Sequence, residues 1–383
     1  MRLITLAVAT IFSLFILFGF RPETTPTVKN TTIPAPAPKI QVAVLLDVSN
    51  SMDGLIEQAK AQLWNMVSVM GKAKCNDVSP QIEIALYEYG RDNNDAKLGY
   101  IKQISAFSSD LDMLSRNLFK LTTYGGSEYC GHVIHTSLDE LKWDSSGSSY
   151  KVIFIAGNED FLQGSVPYSK SCEEAKKKGV IVNTIYCGDR MQGIREHWNL
   201  GAECGNGSFT NINSDAKVEE IPTPYDTTLI VLNDKLNATY VYYGHGGGER
   251  AALQYKMDND NAAISRSVGA KRAEVKGNRG LYDNSGWDLV DAYEKDKSVV
   301  QKVDMKTLPD SLKNKSRAEL ERIVDNNNKQ RSAIQKQILD AAAQRESFIA
   351  KERAKNAGTT ATLETEVEKI IKQQAVRFNM VIK

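Results

Sequence analysis

Three oxygen-bearing side chains follow an apolar run near the start of the chain. Residues 42–54 read VAVLLDVSNSMDG, in which Asp47, Ser49 and Ser51 form the pattern Asp-x-Ser-x-Ser. Asp and Ser are ordinary residues of a turn between a strand and a helix, so turn formation is one interpretation. The other is a cation site, because hard ions such as Mg²⁺ bind several oxygen atoms that converge from a short stretch of chain.

The elements around this motif predict a doubly wound, mostly parallel α/β fold over residues 39–243. Segments of helical periodicity alternate with strand-like runs, which read IQVAVLLD, QIEIALYEYG, GYIKQISAF, YKVIFIAGN, VIVNTIYCG and GSFTNIN. Near-continuous Val, Ile and Leu in several of these strands indicate a sheet that helices cover on both faces. Ligand sites of such sheets lie at the carboxyl ends of the strands, and Asp47 falls at such an end.

The stretch DVSNSM at the end of the first buried strand, in this order of elements, resembles the von Willebrand factor type A (VWA) domain. The resemblance covers about residues 39–243 and implies a Rossmann-like fold with a metal-ion-dependent adhesion site (MIDAS). It implies that Asp47 holds the cation, often through water, and that the hydroxyls of Ser49 and Ser51 ligate it. Mg²⁺ is the expected ion, with Mn²⁺ and Ca²⁺ as alternatives.

The sequence departs from the family's pattern at two further positions. Where the family has a threonine after a glycine pair, residues 122–134 read TTYGGSEYCGHVI, which puts Glu128 at the threonine position and Ser127 one residue earlier. Where the family ends its next strand in Asp-Gly, this chain has Gly157 and Asn158.

Three interpretations of these departures stay open. Glu128 ligates the metal and fills the position that a partner's carboxylate would use, or Ser127 replaces the threonine, or no metal binds and the motif is only turn chemistry. The first is favoured by charge, because Asp47 alone compensates a divalent ion poorly and a second carboxylate balances it.

The N-terminal residues predict export. Residues 3–20 read LITLAVATIFSLFILFGF, which suits a secretory signal or a short membrane anchor over residues 1–21. Residues 22–38 are rich in Pro, Thr and Ala and predict an extended linker. We therefore expect an extracytoplasmic protein of the periplasm or cell envelope, with the N-terminal segment contacting the membrane.

Composition and motifs favour a binding protein rather than an enzyme. The 383-residue chain is 42% hydrophobic and 25% charged with a net charge of +1, which gives no electrostatic case for nucleic-acid binding. No G-x-S-x-G, P-loop or H-E-x-x-H pattern occurs. We expect a non-enzymatic binding or adhesion protein that holds a protein partner. The alternatives are a metal-dependent hydrolase with Asp47, Glu128 and Glu159 around a water, and an envelope scaffold with an inactive metal site.

The remainder of the chain predicts a polar connecting segment and then helices. Residues 244–305 have no clear pattern, and GHGGGER at 244–250 predicts a flexible connector. Residues 306–383 predict helices that begin at a capping box of Ser316 and Glu319. Apolar residues recur near every 3.5 positions, as in a coiled coil, but Asn327 and Arg331 interrupt that seam. These helices would offer a second interaction surface or self-association.

The cysteines leave their pairing open. The chain has five, an odd number. Cys130, Cys172 and Cys187 are expected near the same end of the sheet, so a disulfide among these three would brace the rim of the site. The alternative is that they are buried thiols that behave as small apolar residues.

Overall fold

The computed structural model describes residues 38–213, 221–355 and 363–382. The predicted signal or anchor at 1–21 and nearly all of the predicted linker at 22–38 lie outside these residues. Within the described stretches, no helix is long and apolar enough to cross a membrane.

Six strands form one central sheet, and a short two-stranded ribbon lies apart from it. The order in the sheet is β4-β3-β1-β5-β6-β7, and every neighbouring pair is parallel except β3 with β4. The strands are β1 (Lys39–Asp47), β2 (Ala73–Cys75), β3 (Gln81–Tyr89), β4 (Lys102–Ser108), β5 (Tyr150–Gly157), β6 (Ile181–Cys187), β7 (Asn206–Ile212) and β8 (Met380–Ile382). The predicted doubly wound, mostly parallel sheet is confirmed, and β7 lies at its edge.

Helices cover both faces of the sheet because alternate residues of each buried strand point to opposite sides. Val42 and Leu46 of β1 belong to the core on one face, and Ala43 and Leu45 belong to the core on the other. The first core includes residues of α1 (Asp53–Gly71), α2 (Leu111–Phe119), α9 (Arg266–Gly277) and α14 (Leu363–Ala375). The second includes residues of α3 (Cys130–Glu140), α4 (Tyr168–Lys178) and α6 (Trp198–Cys204).

Local signals in the sequence set several helix ends. The Asp110 side chain accepts a hydrogen bond from the Met113 N–H at 3.0 Å and caps α2. Gly179 ends α4 in the left-handed conformation, with φ of 64°. The remaining helices are α5 (Arg190–Arg195), α7 (Pro224–Asn237), α8 (Gly247–Ile264), α10 (Leu289–Lys295), α11 (Val299–Lys302), α12 (Asp310–Lys313) and α13 (Arg317–Lys355).

The glycine cluster at 244–250 is a turn and the start of a helix, so the prediction of a flexible connector was wrong. Gly244 and Gly246 have φ of 74° and 80°, a conformation that residues with a side chain rarely adopt. Gly246 caps α8, which begins at Gly247. The segment 250–300, which the sequence left unplaced, holds the rest of α8 together with α9 and α10.

The helices after residue 243 pack against the layer that covers one face of the sheet. α9 contacts α1, and α13 contacts α7, α9 and α10. The predicted capping box begins α13, since the Glu319 N–H donates to Ser316 Oγ at 3.2 Å and the Ser316 N–H donates to Glu319 Oε2 at 2.9 Å. Buried seam residues such as Leu320 and Ile338 contact helices of the same chain. α14 packs on α1.

Arg331, which interrupts the apolar seam of α13, is the centre of a buried ionic cluster. Its side chain is 0% exposed and donates to Asp288 at 2.5 Å and to Asp291 at 2.6 Å. The guanidinium also donates to the Thr239 carbonyl at 2.8 Å and lies 4.1 Å from the centre of the Tyr240 ring. A buried charge is stable only when it is paired and hydrogen-bonded, so this cluster fixes where α13 lies against α7 and α10.

We predict that Arg331→Ala lowers the free energy of unfolding by about 3–5 kcal/mol, because it leaves two buried aspartates without their partner. Urea unfolding followed by circular dichroism measures the change. The matched control is Arg322→Ala, since Arg322 is exposed on the same helix; its expected effect is within about 0.5 kcal/mol. Equal losses in the two variants would contradict the anchoring role.

Candidate metal site at the end of the central strand

The Asp-x-Ser-x-Ser residues form the turn between β1 and α1. Asp47 is the last residue of β1, and its side chain is 0% exposed. The Ser49 N–H donates to Asp47 Oδ1 at 2.8 Å, which orients the carboxylate. Ser49 is buried and Ser51 is exposed, and their hydroxyl oxygens are 3.5 Å apart. The three predicted side chains therefore lie together at the carboxyl end of the central strand.

The loop at 122–128 is joined to this turn by backbone hydrogen bonds. The Tyr124 N–H donates to the Val48 carbonyl at 2.8 Å, and the Asn50 N–H donates to the Gly125 carbonyl at 3.2 Å. A single β-bridge between Ser127 and Gly90 fixes the end of the loop. These contacts place Glu128, which is 3% exposed, with its carboxyl group beside Asp47 and the Ser49 hydroxyl, and both neighbours shift the pKa of Glu128.

Glu128, and not Ser127, therefore adjoins the Asp47 carboxylate. Ser127 is half-buried and pairs with Gly90 through its backbone. This geometry favours the first of the three sequence interpretations, in which the glutamate is the added oxygen ligand. Whether either residue binds a metal stays a prediction.

Two glycines allow the neighbouring strands to approach Asp47 closely. A Cβ atom at Gly90 would lie 2.7 Å from Asp47 Oδ1, and a Cβ atom at Gly157 would lie 2.5 Å from the Tyr89 hydroxyl and 3.0 Å from Asp47 Oδ2. Real Cβ atoms do not approach other atoms this closely, so only glycine fits at either position without rearrangement. Sequence reasoning did not identify Gly90 as part of the site, although its place after the strand QIEIALYEY was the available signal.

Gly157 and Asn158 stand where the family has its Asp-Gly pair, so the second aspartate is missing. The Asn158 side-chain N–H donates to Ser51 Oγ at 3.3 Å. Its Oδ1 atom is buried and has no hydrogen-bond partner in the described part of the chain. Asn158 thus places a neutral amide group beside Ser51 rather than a charge.

Burial governs the ionisation of the two carboxyl groups. Burial raises the pKa of Asp47 to about 6. Burial, followed by repulsion from Asp47, raises the pKa of Glu128 to about 9. At neutral pH Asp47 is therefore ionised while Glu128 retains its proton, because two adjacent buried carboxylates cannot both be charged without a counter-charge.

The oxygen atoms fit a hard divalent cation. Asp47 Oδ2 is buried and has no hydrogen-bond partner among the described residues. A buried carboxylate oxygen without a donor is costly in the protein alone, and a cation would satisfy it. Two carboxyl groups and two hydroxyls make up the set that such an ion prefers. In the described residues, however, no three His, Cys, Asp or Glu side chains come together as a metal-binding group.

Glu159 does not join the two buried carboxyl groups. Its side chain is exposed, and it acts on Asp47 and Glu128 only through charge repulsion. Its backbone carbonyl accepts a hydrogen bond from the Trp198 indole at 2.7 Å, which fixes the loop after β5. The convergence of Asp47, Glu128 and Glu159 that the hydrolase alternative requires is absent from the described residues.

The sheet separates Cys187 from Cys130 and Cys172, the other two cysteines for which a disulfide was one expectation. Cys187 packs in the core on the α1 face, and Cys130 packs in the core on the α3 face. Cys172 lies in α4, and its sulfur is 3.7 Å from the Gly201 carbonyl of α6. Cys187 therefore cannot bond to either of the other two without crossing the sheet. The structure contains all three as buried thiols.

Comparisons with known proteins give distant likenesses in the α/β part of the chain. No family model matches the sequence, and no curated protein matches it. The solved structure of BatB from Bacteroides thetaiotaomicron is 14% identical, with a TM-score of 0.35, and the match covers 45% of this chain and 90% of that one. The SpRpn10 VWA domain is 15% identical, with a TM-score of 0.34, over 45% of this chain and 88% of that one.

A third solved structure has zinc in its MIDAS motif. Proximal thread matrix protein 1 from the mussel byssus, with a zinc-occupied MIDAS motif, is 14% identical with a TM-score of 0.32. That match covers 46% of this chain and 42% of that protein. At these values none of the likenesses carries an argument about function. The mostly parallel sheet and the position of Asp47 at the end of its central strand are as the resemblance to the VWA domain predicted.

We predict that Glu128→Gln stabilises the metal-free protein increasingly as pH rises. The pKa of Glu128 in the folded state, about 9, lies above its ordinary value of 4.5. The folded state therefore binds more protons than the unfolded state between these values, and stability falls as pH rises through that window. Glutamine removes this penalty, which is about 3 kcal/mol at pH 7.

Urea unfolding in a chelator at pH 5, 7 and 8.5 measures this effect. The control is Glu173→Gln on α4, because Glu173 is exposed. A difference between Glu128→Gln and wild type that does not change with pH would exclude the predicted protonation of Glu128.

Proposed function

We propose that this chain is an extracytoplasmic, non-enzymatic VWA-type module that binds a protein partner at the loops after β1, β3 and β5. A divalent cation held by Asp47, Ser49, Ser51 and Glu128 would stabilise this surface. The observation that carries the proposal is the buried Asp47 Oδ2 atom, which has no hydrogen-bond partner among the described residues and lies next to a second buried carboxyl group. A cation is the simplest species that satisfies both groups at once.

Mg²⁺ is the proposed ion, with Mn²⁺ and Ca²⁺ as alternatives. A bound divalent cation would supply the positive charge that lets Glu128 lose its proton beside the ionised Asp47. Ser49 and Ser51 would contribute neutral oxygens, which leave the net charge of the site close to zero. Since Glu128 belongs to the chain itself, it would compete with any partner carboxylate for the ion. The partner would then depend chiefly on the surrounding loops.

The proposed location rests on the N-terminal sequence. The apolar stretch at residues 3–20 and the Pro/Thr-rich stretch after it suit an exported or membrane-anchored protein. Fractionation of cells that express the tagged full chain would test this. Recovery with the cytoplasmic enzymes, rather than with the envelope, would contradict it.

We predict that Mg²⁺ and Mn²⁺ bind wild-type protein and bind Glu128→Ala at least about tenfold more weakly, because the variant loses a charged ligand. Isothermal titration into chelator-treated protein measures both affinities. Glu173→Ala is the matched control on the surface of α4. Unchanged or tighter binding to Glu128→Ala would show that the glutamate is not a ligand, and absence of binding to wild type would overturn the metal site.

A further prediction concerns the position where the family's second aspartate is missing. Asn158→Asp would add a carboxylate next to Ser51 and should tighten Mg²⁺ binding by about tenfold, since affinity rises with ligand charge. The control is Asn314→Asp, which adds the same charge at an exposed position between α12 and α13. Equal affinities for the two variants would mean that residue 158 does not face the ion.

A further inference from the structure

We propose that Cys172 and Cys204 form a disulfide bond that joins α4 to α6 in the mature protein. Cys172 is fully buried in α4, and Cys204 is the partly exposed last residue of α6. The two helices pack against each other on the same face of the sheet. The inference rests on the proposed extracytoplasmic location, because stable disulfides form in oxidising compartments.

Contacts between the helices bring the two sulfur atoms together. The Cys172 sulfur lies 3.7 Å from the carbonyl oxygen of Gly201, which is one turn before Cys204 in α6. Side chains of a helix lean towards its N-terminus, so the Cys204 thiol covers the turn that contains Gly201. Burial, and then the neighbouring Cys204 thiol, raises the pKa of Cys172, which agrees with the two side chains being neighbours. Both sulfurs therefore occupy one small volume between α4 and α6.

The other cysteines lie elsewhere in the fold. Cys130 contacts the Tyr89 hydroxyl at 3.8 Å, and Cys187 is on the opposite face of the sheet. Cys75 lies in the ribbon of β2 and β8, where its sulfur is 4.0 Å from the Phe378 carbonyl. An odd total of five cysteines thus divides into one adjacent pair and three thiols at separate places.

The bond would form by thiol–disulfide exchange with a protein disulfide oxidant of the exporting cell. The more accessible Cys204 thiolate attacks the oxidant's disulfide and forms a mixed disulfide, which releases one thiolate of the oxidant. The Cys172 thiolate then attacks the Cys204 sulfur and displaces the second oxidant thiolate. The protons of the two cysteines end on the two oxidant sulfurs, so the chain is oxidised by two electrons and the oxidant is reduced by two.

The cross-link would brace one side of the candidate metal site. It would close the loop from residue 172 to residue 204, which includes β6 and α5. α6 already contacts the loop after β5, because Trp198 donates to the Glu159 carbonyl at 2.7 Å. The Phe161 N–H donates to the Glu196 carbonyl just before α6, at 2.9 Å. A bond from α6 to α4 would restrict both ends of the β5–α4 connection that carries Asn158.

Peptide mapping without reduction tests the proposal directly. The full chain is isolated from the cell envelope, its thiols are alkylated, and the digest is analysed by mass spectrometry. A second sample is reduced, unfolded and refolded with oxidised glutathione. We expect a Cys172–Cys204 cross-linked peptide in both samples, with the other three cysteines alkylated. Alkylation of all five cysteines in the envelope sample, or a cross-link between any other pair, would overturn the proposal.

Variants extend the test to stability. Reduction should move the urea midpoint of oxidised wild type to lower urea, and it should leave the midpoint of Cys204→Ser unchanged. Cys75→Ser is the matched control and should retain both the cross-link and the shift. An equal shift in Cys204→Ser would overturn the assignment. Mg²⁺ titration of the reduced and oxidised proteins is independent of these readouts, so failure of the metal site and failure of the disulfide remain distinguishable.

Discussion

The structure at the carboxyl end of the central strand depends on one constraint, which is that two carboxyl groups are buried there side by side. Asp47 ends the central strand, where strands on both sides surround it, and Glu128 reaches it from a loop that is bonded to the turn after β1. Desolvation raises the pKa of both groups, so the folded protein alone holds them at a cost. Buried groups that destabilise the folded state are common at functional sites, and a cation site is the function that these oxygens fit.

In the helices after residue 243, buried charges are instead paired with opposite charges of the same chain. Arg331 lies between two aspartates, and Arg345 of the same helix donates to Asp226 at 2.7 Å. These ions are paired within the chain, so they need no external ligand and act as fixed points between helices. The charged groups of the α13 clusters are thus paired within the chain, whereas Asp47 Oδ2 has no hydrogen-bond partner among the described residues.

Much of the α/β fold followed from local rules. Alternating apolar runs predicted the sheet, and the Ser316/Glu319 capping box begins a helix where it was expected. The position of the Asp-x-Ser-x-Ser turn followed from the topology, because parallel strands all end at one edge. The polar helices α8 and α9 were not predicted, because their burial does not follow a pattern of apolar residues. Polar residues inside them, such as Arg272, are buried because they form ion pairs, in this case with Asp258.

The sequence by itself determined the central strand, the three oxygen-bearing residues after it, and the substitution of Glu128 and Asn158 at the family's other positions. These are properties of consecutive residues, so periodicity and spacing are sufficient to reveal them. Only the tertiary structure decided that Glu128 rather than Ser127 adjoins Asp47, and that Cys172 lies beside Cys204 while Cys187 is across the sheet. Such pairings join residues far apart in the chain, and they depend on how helices and loops pack, which no local pattern encodes.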